Sequence, residues 1–305
     1  MQRSQRSEAD RAVTLRRDAD ALAATLPPLL VDAERVAASV AQGLHGRRRV
    51  GSGEAFWQFR RYQPGDSAHD VDWRQSARSA HAFVREKEWE AAESVWLWAD
   101  RSESMRYKSD GAEITKETRA RVLLLALALL LVGAGERVAA LDGAEPPMAS
   151  RLGLRRLALH FATTQNGPSL PEIRRLPRHA RVVLVGDFLS PIEEITARLD
   201  AFATEGVSGH LLQVLDPAEE DLPFAGRTRF EGVEDAASLV LDRAENVRTR
   251  YQAVLAAHRA TIADAACRLG WSFASHRTDH APQLALLALY GAIGGEPGLM
   301  AMERA

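Results

Sequence analysis

Short apolar runs alternate with helix-patterned stretches over most of the chain, and this alternation constrains the fold more than any other feature. The runs are Val95–Ala99, Arg137–Leu141, Arg181–Gly186, His210–Leu215 and Trp271–Ala274. Between them lie helical patterns over 113–133, Leu152–Thr163 and Arg243–Leu269, and a last helix is expected after Pro282. Ser190, Pro191 and Glu193 read as N-cap, N1 and N3 of another helix. Residues 222–241 suggest a small β excursion. Runs such as RVVLVG are apolar throughout rather than alternating, as strands covered on both faces require. In Val95–Ala99 the two tryptophans, Trp96 and Trp98, fall on one face, with Val95 and Leu97 on the other. The pattern predicts an α/β fold in which a mostly parallel sheet is flanked by helices.

The part before residue 93 has a different character. Residues 1–46 read as a helical pair broken at Pro27-Pro28, with Val36, Val40 and Leu44 along one side of the second helix. The pair is expected to be an extension of the main domain. Residues 47–92 mix glycine, aromatic and charged side chains and predict a hairpin excursion, with a turn at Pro64-Gly65-Asp66 and an edge strand over His81–Trp89. The α/β domain is then expected over 93–295.

Composition narrows the functional classes. Of the 305 residues, 46% are hydrophobic and 26% charged, which suits a folded globular chain. A net charge of -2 gives no basic face for nucleic acid, so no nucleic-acid partner is expected. The single cysteine, Cys267, allows neither an internal disulfide nor a thiolate cluster, and it reads as a packing residue in a helix. The most apolar stretch, Val122–Val132, is shorter than the ~20 residues that span a bilayer. It predicts a buried helix rather than direct membrane insertion. The N-terminus lacks a signal-peptide core, so a cytoplasmic location is expected.

In a parallel α/β sheet, ligands gather at the carboxyl ends of the strands where the strand order reverses. Val95–Ala99 is followed by Asp100-Arg101-Ser102-Glu103-Ser104, and Arg181–Gly186 by Asp187. A loop leaving a strand can turn residues i, i+2 and i+4 toward one point, so Asp100, Ser102 and Ser104 would offer a carboxylate and two hydroxyls together. These are hard oxygen ligands of the kind Mg²⁺ or another divalent cation takes in octahedral geometry. A coordination position left open would accept a carboxylate from a partner. The competing reading is a turn whose side chains cap the local backbone.

DRSES resembles the metal-ion-dependent adhesion site of von Willebrand factor A domains, whose pattern is Asp-x-Ser-x-Ser after the first strand. The stretch RRYQPGDSAHDVDWRQSAR, then a strand and DRSESM, and later LVGDF and LLQVLDPAEEDLPFAG, resemble a narrower bacterial family, domain of unknown function fifty-eight. The resemblance spans roughly residues 45–290. It implies a von Willebrand factor A-like (Rossmann-like) fold and a role as adaptor or substrate-recognition partner to MoxR-type AAA+ ATPases, with a client protein as a further partner. Residue by residue, it assigns Asp100, Ser102, Ser104 and Asp187 to the metal. The adhesion-site pattern also takes a threonine from an intervening loop, for which Thr163 and Thr164 lie in a suitable region. Gly186 stands where a serine is expected before the aspartate, and Ser67 and His69 stand where an acid and an arginine are more usual.

Other constellations carry less. Asp66, Asp70 and Asp72 interleave with Arg60, Arg61, Arg74 and Arg78, which suggests an ion-pair network pinning the hairpin. His276 and His280 have a zinc-like spacing but straddle Thr278 and Asp279, which read as a helix N-cap. Trp57, Trp73, Trp89, Trp96, Trp98 and Trp271 read as packing residues. There is no GxxxxGK[ST], GxGxxG or GxSxG, so the chain is neither the ATPase itself nor an α/β-hydrolase. A non-catalytic protein-binding module is therefore expected. A scaffold with a vestigial metal site and a metal-dependent hydrolase are the alternatives; the hydrolase would need a general base, and no histidine lies near either motif.

Overall fold

The computed structural model describes residues 28–44, 56–62, 71, 73–76, 82–87, 94–232 and 238–294. Its centre is a five-stranded parallel sheet. The strands are β3 (Ser94–Ala99), β4 (Arg137–Ala140), β5 (Arg181–Gly186), β6 (Ser208–Leu215) and β9 (Ser272–Arg277), in the order β4-β3-β5-β6-β9. The first strand of the sheet thus lies between the second and the third, the doubly wound order whose switch point falls between β3 and β5. An isolated antiparallel bridge between Val138 and Met148 covers part of the β4 edge. The α/β class read from the alternating runs is the one observed.

The inner strands β3 and β5 are apolar on both sides because helices cover both sides. Val95, Leu97 and Ala99 face one core, with α3 (Lys116–Gly133), α4 (Arg151–Thr163) and α8 (Pro282–Ile293). Trp96 and Trp98 face the other, with α5 (Ile192–Thr204) and α7 (Arg248–Arg268). Within α3, Leu123 through Ala128 are completely buried, which explains why that stretch is apolar all round. Its start is set by Thr115, whose side chain accepts a hydrogen bond from the Thr118 amide. No described helix is long and apolar enough to cross a membrane.

Helix α1 (Pro28–Leu44) contributes Leu30, Ala33, Val36, Ala37 and Val40 to the α3 core. The second of the two N-terminal helices is therefore a layer of the fold, packed on α3 and α8. The first lies outside the described residues. Strands β1 (Phe56–Arg61) and β2 (Phe83–Lys87) form an antiparallel pair of their own, with the short α2 (Trp73–Ser76) between them. The expected edge strand thus pairs with β1 and not with the main sheet. The expected turn at Pro64-Gly65-Asp66 and the acids Asp66, Asp70 and Asp72 lie outside the described residues. A second small hairpin, β7 (Thr228–Glu231) and β8 (Ser238–Leu241), follows α6 (Pro217–Asp221).

Several local expectations change. Helix α5 begins one turn position later than its motif suggested: Pro191 occupies the N-cap, and the Ser190 hydroxyl donates to Ser169 Oγ instead of capping. Strand β9 runs to Arg277, and the N-cap of α8 is Ala281 rather than Thr278 or Asp279. Trp73 is 70% exposed and Cys267 is exposed, so neither is a core residue. Trp96, Trp98 and Trp271 are buried as expected. The Trp271 ring lies flat against Gly209, where a Cβ would meet it at 2.1 Å, so that position admits no side chain.

Candidate functional site

Strands β3 and β5 are neighbours in register, with Ala99 opposite Val185, so the residues that follow them emerge side by side. The Asp100 amide continues the ladder by donating to Val185 O at 2.8 Å. Its carboxylate then folds back on its own loop. Oδ1 accepts from the Ser102 amide at 2.8 Å and the Ser102 hydroxyl at 2.7 Å. The Ser102 and Ser104 hydroxyls are 3.1 Å apart, and Ser104 donates to Asp187 Oδ2 at 2.6 Å. The four residues singled out from the sequence therefore form one continuous chain of oxygens across the switch point. Asp100, Ser102 and Asp187 are buried and Ser104 is half-buried, which leaves the serine side as the approach from solvent.

Gly186 is explained by this crowding. A Cβ there would lie 2.8 Å from Asp100 Cβ and 3.0 Å from Oδ2, so the serine expected at this position has no room. After Asp187 the chain turns sharply, with Phe188 at φ 49° and its carbonyl bonded to His258 Nε2 at 2.7 Å. Gln213, fully buried on β6, donates to the Asp187 carbonyl at 2.8 Å and accepts from Arg259 Nε at 2.9 Å. Asp187 is thus held by both its backbone and its side chain.

Lys116, Glu219, Gln213 and Asp216 were not singled out from the sequence. Lys116 is completely buried in the first turn of α3 and donates to Asp187 Oδ2 at 2.9 Å and Glu219 Oε1 at 2.6 Å. Burial pulls its pKa down, but the Asp187 and Glu219 charges and hydrogen bonds outweigh this and leave it above its ordinary value. Glu219 also closes a capping box at the start of α6, accepting from the Asp216 amide at 2.8 Å. Asp216 Oδ2 in turn accepts from the Ser109 amide at 2.9 Å, tying the loop after β3 to the loop after β6. Two signals were present in the sequence. A lysine in a first helical turn opposes the helix dipole and so needs carboxylates nearby. The segment Asp216-Pro217-Ala218-Glu219 has the spacing of a capping box.

Asp100 is the strained member. Its pKa is pushed up to about 7, first by burial and then by the Asp187 charge, with the Ser102 hydrogen bonds and Lys116 opposing. Among the described residues its Oδ2 is buried without a hydrogen-bond partner. The donor set fits a hard divalent cation: two carboxylates and two hydroxyls whose oxygens stand 2.6–3.1 Å apart. Adjacent ligands of an octahedral Mg²⁺ would be separated by about 3 Å. Among the described residues no three His, Cys, Asp or Glu side chains group as a metal site by themselves, so the hydroxyls are essential to this fit. Among the described residues, neither Thr163 nor Thr164 hydrogen-bonds to the oxygens of the cup. Their hydroxyls donate to Leu159 O at 2.8 Å and His160 O at 2.7 Å, within their own helix end. His276 is on β9 and His280 is exposed beyond it.

The family described as "Protein of unknown function DUF58" matches residues 58–261. Uncharacterized proteins of Mycobacterium bovis and Mycobacterium tuberculosis are each 28% identical over 280 residues, covering 85% of this chain and 85% of theirs. Among solved structures, a conserved hypothetical protein BatB from Bacteroides thetaiotaomicron aligns with a TM-score of 0.38 at 14% identity, over 67% of this chain and 98% of that one. An aerotolerance-related membrane protein from Bacteroides fragilis aligns with a TM-score of 0.41 at 14% identity, over 67% and 100%.

Proposed function

This chain belongs to the DUF58 family, and we propose that it is a non-catalytic, von Willebrand factor A-like protein-binding module. Its recognition site is the cup formed by Asp100, Ser102, Ser104 and Asp187. One observation carries the reading: these side chains form a continuous oxygen chain at the switch point, and a buried carboxylate oxygen of Asp100 in it has no partner among the described residues. A divalent cation bound there would supply a Lewis-acidic position open to a carboxylate of a partner protein. Asp100 and Asp187 would neutralise it, the two serines would orient it, and Gln213 and Arg259 would keep Asp187 in place. The partner suggested by the sequence resemblance is a MoxR-type AAA+ ATPase, with this chain as its adaptor toward a client.

A vestigial cup on a scaffold is the second reading, and Lys116 favours it. Its ammonium already sits on Asp187 Oδ2 and supplies a positive charge from within the fold. Calorimetric titration of Mg²⁺ separates the two. The cation-dependent module is expected to bind saturably and to lose binding in Asp100→Ala and Ser104→Ala. Capture of the ATPase should then be sensitive to EDTA. Capture that survives both EDTA and Asp100→Ala would replace the cation-dependent reading with the scaffold.

A further inference from the structure

The Oδ2 oxygen of Asp187 is contested. It accepts from the Ser104 hydroxyl at 2.6 Å and from the Lys116 ammonium at 2.9 Å. Those two bonds occupy both lone pairs of that oxygen. A cation held by the cup needs one of them back. The two donors differ in what they can give up. Ser104 can turn its proton toward Ser102 Oγ, 3.1 Å away, and still offer its own oxygen. An ammonium has donors only and offers nothing to a cation. Lys116 is therefore the group that must yield.

Lys116 can yield without being stranded. It is completely buried, so leaving Asp187 for no partner would strand a bare charge in the interior. Glu219 removes that cost. Its Oε1 already accepts from Lys116 Nζ at 2.6 Å, a shorter bond than the one to Asp187. Glu219 is itself fixed, because its Oε2 accepts from the Asp216 amide at 2.8 Å in the capping box of α6. Two carboxylates thus flank one ammonium, and only one of them belongs to the cup. Charge decides which ions can drive the exchange. A monovalent ion would bring no more charge than the ammonium it displaced, whereas a divalent ion brings more.

We propose that Lys116 is a displaceable internal counter-ion that sets the affinity and the charge selectivity of the cup. It holds Asp187 until a divalent cation competes for Oδ2, then yields that oxygen and stays on Glu219. The inference rests on the cation-dependent reading of the cup. It turns the ammonium on Asp187 from a permanent occupant into a gate.

The test is calorimetric titration of Mg²⁺ into the full chain, run on the parent, Lys116→Met, Glu219→Gln and the double variant. Lys116→Met should bind Mg²⁺ at least about ten-fold more tightly than the parent. Glu219→Gln should bind at least about three-fold more weakly, because Lys116 then has no charged acceptor to retire to. In the Lys116→Met background the effect of Glu219→Gln should disappear. Its persistence there would mean that Glu219 acts on the cation directly, and would overturn the exchange. Equal affinity in the parent and Lys116→Met also overturns it and leaves the cation-dependent cup standing. Binding in Lys116→Met alone would make Lys116 a fixed occupant and overturn its displacement. No saturation in any folded chain up to about 10 mM overturns the cation reading itself, and the exchange with it. If Lys116→Met does not fold, a crystal of the parent grown with Mn²⁺, which also takes oxygen ligands, decides. Nζ should then lie out of hydrogen-bond reach of Asp187 Oδ2 and remain on Glu219. Nζ still on Asp187 beside a bound cation overturns the proposal.

Discussion

At the scale of single residues, the proposed cation cup trades stability for readiness. Asp100 is fully buried, faces the charge of Asp187 and leaves one oxygen unpaired. Each of these costs free energy in the absence of a cation. Asn at this position keeps an oxygen to accept from the Ser102 amide and hydroxyl but removes the charge. At pH 8 and without divalent ions, Asp100→Asn is expected to be more stable than the parent, by about 1 kcal/mol or more. That corresponds to a rise in Tm of about 2–4 °C for a chain of this size. Added Mg²⁺ should raise the Tm of the parent and leave that of the variant unchanged. A variant that melts lower than the parent without metal would mean that the buried charge is already well compensated, and the readiness argument would fail.

At the scale of elements, the order of strands and helices was readable because parallel strands covered on both faces must be apolar throughout. Val95–Ala99 and Arg181–Gly186 show this, and they delivered Asp100 and Asp187 to one point. What was not readable depends on contacts between distant segments. Lys116 and Glu219 are 103 positions apart and meet only because β6 lies beside β5. Gly186 looked like a departure from a pattern until the Asp100 side chain was seen occupying its Cβ space. Helix α1 is the clearest case. Its apolar stripe was visible, but no local signal says that the partner is α3, which begins 72 residues after α1 ends (116 − 44), rather than another terminal helix. Leu30 is only 3% exposed and belongs to the same core as α3. Leu30→Ala should therefore cost ~2–5 kcal/mol, as in any packed core. Urea unfolding should shift in one transition that includes the sheet. Loss confined to a separate low-urea step would make α1 a dispensable layer, and removal of residues 1–46 would then be harmless instead of unfolding the chain.

At the scale of the whole molecule, buried titratable groups outside and inside the cup pull against each other as pH falls. His276 on β9 has its pKa pushed down to about 3, by burial first and then by Arg119 and His280, with Asp279 opposing. His210 on β6 is pushed down to about 4 by burial and Arg181, while its Nδ1 shares a 2.8 Å hydrogen bond with Ser272. The unfolded chain takes up a proton at each near the ordinary value of 6.5, but the folded chain does so only at the depressed values. Their contribution is therefore complete above pH 6.5 and is lost as pH falls toward 3–4. Asp100 acts in the opposite sense. The folded state holds its proton from about pH 7 downward and the unfolded state only near 3.8. Two histidines against one carboxylate leave the unfolded state with about one extra proton near pH 5. Stability should then fall with decreasing pH at a slope approaching about 1.4 kcal/mol per pH unit. The raised pKa of Glu219 trims that slope. Replacing His276 with Phe removes one of the two opposing protons and also a buried Nε2 that has no partner among the described residues. The slope in His276→Phe should drop close to zero, read from urea midpoints between about pH 4.5 and 6. Retention of the full slope in the variant would mean that the acid sensitivity arises elsewhere in the chain.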